Sequence, residues 1–362
     1  MRSKSFIVPM AVLGGALCWG AEETALRPEL FLLKPGHSVT SAVQGPPAVL
    51  PGLRGPYIGQ KPPGIKPELF APGIVSKEGD QGRLFVAPDG SEIIYWERTP
   101  GGAMAILSIR SEGGTWSSPV ALPFSREHVH NEPCLSLDGQ RLFFVSDRPR
   151  SGAGEAERRP SIWVSEKSQG EWAEPRRIAA FDGLDLTVQP YAIADGGLYF
   201  MGQSEGQRAV YYSRYSEGRF SAPAKVGESV FTGQASGPCL SPDGRVLIFH
   251  SRREGGFGGW DLYVSFIDRD GNWGELRNLG ETINTAGNEA GASFSPDGRY
   301  LFFSRDGDVY WVSARILETG ALSADVPGSR RDIIRRAALP VPRERQETFD
   351  PIVADFLTRF SY

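Results

Sequence analysis

Two histidines and a glutamate alternate in the stretch HVHNE, which spans residues 128–132. On a β-strand alternate side chains share one face, so His128, His130 and Glu132 would point the same way. Two imidazoles and a carboxylate suit Zn²⁺ or another transition metal. We favour a polar segment entering a strand, because His-x-His is short and common and a true site needs matched outer-sphere partners. The expectation is no metal and no cofactor, with His128, His130 and Glu132 as the alternative metal site.

Three acidic residues could support acid–base catalysis if the fold brings two of them together. Paired carboxylates on either side of a glycosidic bond hydrolyse it, and the candidates are Glu132, Asp185 and Glu289. Serine chemistry is not indicated, because no G-x-S-x-G turn precedes a helix. Enzymatic activity therefore stays open, and a non-catalytic role is favoured.

A repeated turn motif must position these residues. CLSPDGRVLIFHS at 239–251 is nearly copied by SFSPDGRYLFFS at 293–304, and three weaker copies precede them. The spacings between the turn aspartates are 49, 57, 48 and 54 residues, a period typical of propeller blades. The turn aspartates are Asp89, Asp138, Asp195, Asp243 and Asp297.

Each repeat contains segments with strand character. In the fourth, WDLYVSFI places Leu262, Val264 and Phe266 at every second position, which is the period of a strand. The fifth repeat has only three such segments, so we expect ELFAPGIVS at 68–76 to add the fourth strand and close the ring. The prediction is an all-β, five-bladed β-propeller of four-stranded antiparallel blades closed by an N-terminal strand. Six blades is the alternative.

In a propeller the innermost strands surround a central channel, and we place the ligand site at the mouth where those strands begin. Counting back from the turn aspartates aligns the repeats. Six residues before them stand Arg83, Glu132, Gln189, Gly237 and Gly291. Eight before them stand Gln81, His130, Thr187, Ala235 and Glu289. This polar, lopsided ring suits either an asymmetric ligand or a water-filled channel. The candidate ligand-binding residues are Arg83, His130, Glu132, Gln189 and Glu289.

The first 20 residues have the pattern of a secretory signal peptide. Arg2 and Lys4 precede a short apolar stretch that ends at Trp19, and acids begin only at Glu22. Lipid attachment at Cys18 is the less favoured alternative, because Leu17 occupies a place where lipoprotein signals carry a small residue. We therefore expect a periplasmic or secreted protein.

The rest of the chain divides by composition. Residues 21–66 hold eight prolines and six glycines and are expected to form a strap or linker without regular structure. The propeller is predicted at 67–316, and 317–362 is expected to be a C-terminal extension with short helical turns. Net charge is −4, and −6 once Arg2 and Lys4 are removed with residues 1–20 (−4 − 2), which argues against a nucleic-acid partner.

Several motifs carry a family resemblance. PYIGQKPPG, PELFAPGIVS, SPDGR, GGWDLYVSF, GNWGELRNLGETINTAGNE and DVYWVSA, within roughly residues 56–316, resemble the TolB-like family of WD-related propellers with a Pro-Asp-Gly repeat. The extra α/β domain that TolB-like proteins tend to carry is not indicated here. The resemblance implies an exported bacterial propeller that binds proteins, peptides or cell-wall material.

From the residues and the resemblance together, we expect a non-enzymatic binding module for a protein, peptide or cell-envelope glycan at the channel mouth. A carbohydrate-active enzyme, a glycoside hydrolase or lyase, is the alternative.

Overall fold

The structure is a computed structural model that describes residues 48–126, 128, 130–149, 160–226, 234–266 and 273–318. The predicted signal peptide, most of the strap and nearly all of the C-terminal extension lie outside the described residues. Among the described residues, no helix is both long and apolar enough to cross a lipid bilayer.

The described strands form five antiparallel blades, each built outward from an innermost strand. Before the blades come β1 (Val49–Arg54), a 3-10 helix (Tyr57–Gly59) and β2 (Glu68–Leu69). Blade 1 contains β3 (Gln81–Val86), β4 (Glu92–Arg98), β5 (Met104–Glu112), β6 (Thr115–Ser117) and β7 (Val120–Ala121). Blade 2 contains β8 (His130–Leu135), β9 (Arg141–Ser146), β10 (Ser161–Ser168), β11 (Glu171–Trp172) and β12 (Arg176–Arg177).

Blades 3 to 5 repeat the pattern. Blade 3 contains β13 (Leu186–Ala192), β14 (Leu198–Ser204), β15 (Gln207–Ser213) and β18 (Ala224–Lys225), with β16 (Tyr215–Ser216) and β17 (Arg219–Phe220) as a side hairpin. Blade 4 contains β19 (Gln234–Leu240), β20 (Val246–Arg252), β21 (Asp261–Phe266) and β22 (Arg277–Asn278). Blade 5 contains β23 (Glu289–Phe294), β24 (Tyr300–Arg305) and β25 (Asp308–Ser313). The other 3-10 helices are Pro123–Arg126, Ala179–Phe181 and Ala314–Glu318.

The ring closes as the sequence predicts. β2 pairs antiparallel with β25, with Glu68 opposite Trp311, and so supplies the missing outer strand of blade 5. Phe70 follows at once and is fully buried, with its ring 5.2 Å from that of Trp311. The pairing is shorter than the predicted 68–76 because Ala71 turns the chain at a φ of +44°. The closure therefore combines two paired residues with one buried aromatic anchor.

The expectation of no regular structure in residues 21–66 is wrong for β1. β1 pairs antiparallel with β6 at the outer edge of blade 1. The indole of Trp116 on β6 donates from Nε1 to the carbonyl of Gly55 at 2.8 Å, just after β1 ends. A strand edge offers unpaired backbone groups, and β1 satisfies those of β6.

The repeated turn has a local chemical cause. In blade 4, Ser241 Oγ donates to Asp243 Oδ1 and accepts from the backbone N–H of Val246 at 2.9 Å. The same serine–aspartate pair occurs in blade 2 and blade 5. The aspartate also accepts a backbone N–H two residues on, which is the Asx-turn pattern. The motif therefore builds the turn between the first two strands of a blade.

Candidate functional site

The two ends of the channel are named here by the inner strands. The strand-start end carries the first residues of β3, β8, β13, β19 and β23, and the turn end carries the turns with the aspartates. All five inner strands have a register shift against their neighbours. At that shift stand the five residues that lie six before the turn aspartates, and each has a left-handed φ between +41° and +62°. The sequence alignment of these positions therefore describes equivalent places in the blades.

Three of the five left-handed positions hold long polar side chains. A left-handed backbone costs roughly 1–2 kcal/mol for a residue other than glycine. Arg83 Nη1 lies 2.9 Å from Glu132 Oε2, and Nη2 donates to the carbonyl of Pro190 at 2.8 Å. Arg83 is 1% exposed. Because it joins blade 1 to blade 2 and also to blade 3, its guanidinium spans the inner ring.

Gln189 continues the connection into blade 4. Its Oε1 accepts from the backbone N–H of Gly237 at 2.9 Å and from the hydroxyl of Ser236. The small residue at 237 is required, because a Cβ there would lie 2.4 Å from the ring of His250. Arg83, Glu132 and Gln189 with these partners are called the axial network below.

An apolar layer lies between the axial network and the turns. Phe85 and Tyr191 each follow a network position by two residues. Their aromatic ring centroids are 6.0 Å apart, between the inner strands of blades 1 and 3. Tyr191 donates its hydroxyl proton to the carbonyl of Leu240 at 2.7 Å. Phe85, Leu135, Tyr191 and Phe294 are all buried. The inner ring is thus packed with polar groups at one level and apolar groups at the next.

His130 is part of the core. It has no exposed surface, and its ring packs edge-on against Phe124 and Phe144. Its Nε2 lies 2.8 Å from the carbonyl of Phe124, so this nitrogen carries the proton and donates. Burial lowers the pKa of His130 to about 3, so the ring is neutral at physiological pH.

The alternative metal site is not formed among the described residues. His128 Nδ1 lies 3.9 Å from Asp147, while Glu132 pairs with Arg83. In the described ranges no group of three or more His, Cys, Asp or Glu side chains has an arrangement that could hold a metal ion.

The three candidate catalytic carboxylates have separate sets of partners. Glu289 has no exposed surface and accepts from the backbone N–H and hydroxyl of Thr285 at 3.0 and 2.6 Å. Arg305 Nε lies 3.2 Å from the same carboxylate. Asp185 is exposed and accepts from the backbone N–H of Glu205 at 3.1 Å. Of the predicted site residues, the structure brings together Arg83 and Glu132 directly. A ligand-binding role for these residues stays a prediction.

An open cavity of about 1220 Å³ lies at the turn end, opposite to the mouth where we expected a ligand. Its floor is the apolar layer, and turns from all five blades surround it. The segment 54–62 forms a further wall. Its polar and aromatic lining includes Arg54, Tyr57, Lys61, Asp138, Arg141, Asp195, Tyr215, Asp243, Asp297, Arg299 and Tyr300.

The wall on blades 2 and 3 centres on Arg141. Its guanidinium carbon lies 4.1 Å from the centroid of the Tyr215 ring, in cation–π geometry. The turn glycine of blade 3 makes room, since a Cβ at Gly196 would lie 3.3 Å from Arg141 Nη2. Arg141 Nη1 is buried and has no hydrogen-bond partner in the described part of the chain. A buried donor without an acceptor is unusual in a native protein.

The wall formed by residues 54–62 is held at several points. Gln60 donates from Nε2 to the carbonyl of Leu69 at 2.8 Å and accepts from the N–H of Ala71 at 2.7 Å. The ring of Tyr57 packs edge-on to Tyr300 at 5.3 Å. Burial, with the nearby charge of Asp297, raises the pKa of Tyr57 to about 12, so its phenol stays protonated.

Tyr57 and Ile58 both have left-handed backbone conformations, with φ of +53° and +60°. For a β-branched residue such as Ile58 this is a strained conformation. Strain of this kind persists only where the surroundings enforce it, and it clusters at binding sites. Sequence reasoning missed this wall because PYIGQKPPG reads as a linker. The signal present in the sequence is Tyr57 next to glycines and prolines within the family-like motif.

No family model and no curated protein matches this sequence. Solved structures with a similar fold include a TolB-type protein from Agrobacterium tumefaciens, at 20% identity over 66% of this chain and 76% of that one, with a TM-score of 0.40. A gluconolactonase from Xanthomonas campestris has 14% identity, 74% and 97% coverage and a TM-score of 0.41. An α-L-arabinofuranosidase from Lactobacillus brevis has 12% identity, 65% and 85% coverage and a TM-score of 0.45. None of these likenesses assigns a function to this chain.

Proposed function

We propose that this protein is an exported, non-enzymatic β-propeller binding module whose ligand occupies the cavity at the turn end. The observation that carries the proposal is the contrast between the polar side chains at the two ends of the channel. Arg83 at the strand-start end is 1% exposed and bonds to Glu132 and Pro190, whereas the turn end is an open cavity of about 1220 Å³ that charged and aromatic side chains line.

The cavity is suited to a ligand in size and lining. Its volume of about 1220 Å³ exceeds the roughly 300–1,000 Å³ of sites for drug-sized molecules. Apolar floor, tyrosine walls and a few charged groups are the usual composition of a binding site. A protein segment, a peptide or a cell-envelope glycan fits this description.

The carbohydrate-active enzyme is less well supported. A glycosidase needs two carboxylates about 5–10 Å apart on either side of the bond, one of them free to protonate the leaving group. Glu132 is neutralised by Arg83, and Glu289 is buried against Arg305 and Thr285. The turn aspartates at the cavity each use one carboxylate oxygen, Oδ1, to build the turns.

A cavity-filling variant tests the site. Ala194 lines the cavity, so Ala194→Trp should remove binding, while Ala222→Trp on an exposed surface of blade 3 should retain it. The probes are soluble peptidoglycan fragments, envelope polysaccharide fragments and a displayed peptide library, with mass spectrometry of each mixture for products. Equal binding by both variants would contradict the location, and cleaved products would contradict the non-enzymatic role.

A further inference from the structure

The charged groups of the turn-end cavity are arranged on different walls. Four aspartates, Asp138, Asp195, Asp243 and Asp297, stand on the turns of blades 2 to 5. Four cations also line it: Arg54 and Lys61 on the 54–62 wall, Arg141 on blade 2 and Arg299 on blade 5. The formal charges of the lining therefore cancel, and each sign is present on more than one side.

Part of this charge is already committed within the protein. Arg299 Nε lies 2.9 Å from Asp297 Oδ2. Asp195 accepts from the N–H of Gly197 and from the hydroxyl of Tyr212, both at 2.6 Å. Arg141 Nη2 lies 3.8 Å from Asp138 Oδ2, while Arg141 Nη1 lacks an acceptor in the described residues. Arg54 and Lys61 have no ion pair within the described ranges. The lining thus offers donors on the 54–62 wall and, in Asp243, a carboxylate whose Oδ1 alone is used by the turn.

Aromatic surface is the second feature. Tyr57, Tyr215 and Tyr300 are partly exposed on the walls, and the Phe85 and Phe294 rings form part of the floor. Tyrosine supplies an apolar ring face together with a polar tip. The C–H faces of pyranose rings pack on such ring faces, and sugar hydroxyls both donate and accept.

We infer that the cavity takes an uncharged oligosaccharide of several units. This rests on the proposed function and narrows its ligand to one class. A neutral sugar chain can accept from Arg141 and donate to the aspartates without placing an unmatched charge in the cavity. Because the formal charges of the lining cancel, a polyanion would gain no net attraction there, and the net charge of −4 on the whole chain opposes it. The volume of about 1220 Å³ excludes a tight fit around a single sugar unit.

Matched saccharides test this inference. The probes are tetramers of β-1,4-linked mannose, glucose and N-acetylglucosamine, with the β-1,4-linked mannuronate tetramer as the charged counterpart of the mannose tetramer. Binding is measured by isothermal titration calorimetry up to millimolar ligand. The expected result is that at least one neutral tetramer binds and the mannuronate tetramer binds at least tenfold more weakly than the mannose tetramer or not at all.

Variants locate the binding. Arg141→Gln and Tyr215→Leu are expected to lower the affinity for the neutral tetramer on the order of tenfold or more. Arg208→Gln removes an arginine from the exposed start of β15, outside the cavity lining, and is expected to leave binding unchanged. Circular dichroism and the thermal midpoint show that each variant is folded.

The remaining outcomes overturn the inference. Preferential binding of the mannuronate tetramer would reject an uncharged ligand while leaving the binding-module proposal intact. No binding by any tetramer would reject a saccharide ligand, and the displayed peptide library would then decide separately whether the binding module itself stands. Unchanged affinity in folded Arg141→Gln and Tyr215→Leu would reject this site.

Discussion

The two ends of the channel are built from the same five inner strands, but their polar groups are used differently. At the strand-start end, Arg83 and Gln189 lie in left-handed positions and bond to neighbouring blades, with exposures of 1% and 6%. At the turn end, Arg141 and Tyr215 line an open cavity of about 1220 Å³. One end uses polar residues to hold blades together inside the protein, and at the other end polar and aromatic residues line an open cavity.

The difference shows that a polar residue near a channel axis is not by itself a sign of a ligand site. Buried polar groups in proteins are almost always hydrogen-bonded, and within the axial network Arg83 Nη1 and Nη2 and Gln189 Oε1 follow that rule with protein partners. Arg83 Nε and Arg141 Nη1 are both buried without a partner in the described residues, and of these two residues Arg141 is the one that lines the open cavity.

The largest effect should follow from breaking the axial network. Arg83→Met removes the bonds to Glu132 and Pro190 and leaves a mostly buried carboxylate unpaired. We expect a loss of about 3–4 kcal/mol in the free energy of unfolding, measured in urea. Arg54→Gln, which removes a charge at the other end, is the control. A loss below about 1 kcal/mol in Arg83→Met would show that the network does not hold the blades.

Replacing a glycine near the channel axis should be nearly as destabilising. In Gly237→Ala the new Cβ would clash with the ring of His250, and the backbone is left-handed, with a φ of +62°. In Gly218→Ala the backbone is also left-handed, with a φ of +75°, but the new Cβ would have no atom within 4 Å. We expect a loss of about 3 kcal/mol for the first and about 1 kcal/mol for the second. Equal losses in chemical denaturation would mean that the strand-start end is loosely packed.

Acid should weaken the strand-start end. Burial lowers the pKa of both His130 and His250 to about 3. Below the ordinary pKa near 6.5 the unfolded chain binds protons that the folded chain does not, so stability is present above that pH and is lost as the pH falls toward 3. We expect the free energy of unfolding to fall by roughly 2 kcal/mol per histidine between pH 6.5 and 5.

His130→Gln separates this titration from general acid effects. A glutamine amide can still donate to the carbonyl of Phe124 but does not titrate. The variant should show about half of the pH dependence of the unmodified protein in urea denaturation series. An unchanged slope would mean that His130 has the same pKa in the folded and the unfolded chain.

The smallest stability changes should come from the cavity wall. Arg54→Gln and Lys61→Gln alter exposed side chains, so we expect changes within about 0.5 kcal/mol. Their effect should appear in ligand affinity, as a loss of about threefold to fivefold for the neutral tetramer that binds. Large destabilisation with unchanged affinity would reverse the assignment of the two ends.

The architecture could be predicted because it repeats. The turn serine and aspartate recur in sequence, and the alternation in β21 marks a strand without any tertiary information. The closure by residues near Phe70 followed from the missing strand of the fifth repeat. The presence of β1 did not follow, because its pairing depends on the open edge of β6 rather than on its own Pro-rich sequence.

The site was predictable only in part. Alignment of the repeats identified Arg83, Glu132 and Gln189 as equivalent positions. It could not predict that the backbone is left-handed at each of them. The cavity was missed because Asp138 and Asp195 read as turn-forming residues, which they are. The space beside them comes from the position of Tyr57 and its neighbours, and that position depends on contacts with blade 5.

Hydrogen exchange with bound saccharide distinguishes the turn end of the channel from the strand-start end. With the tetramer that binds, the account predicts slowed amide exchange in residues 54–62, 136–139, 193–196 and 295–298, and no change in 130–132, 187–189 and 289–291. Protection confined to the second set of segments would contradict the account and place the ligand at the strand-start end.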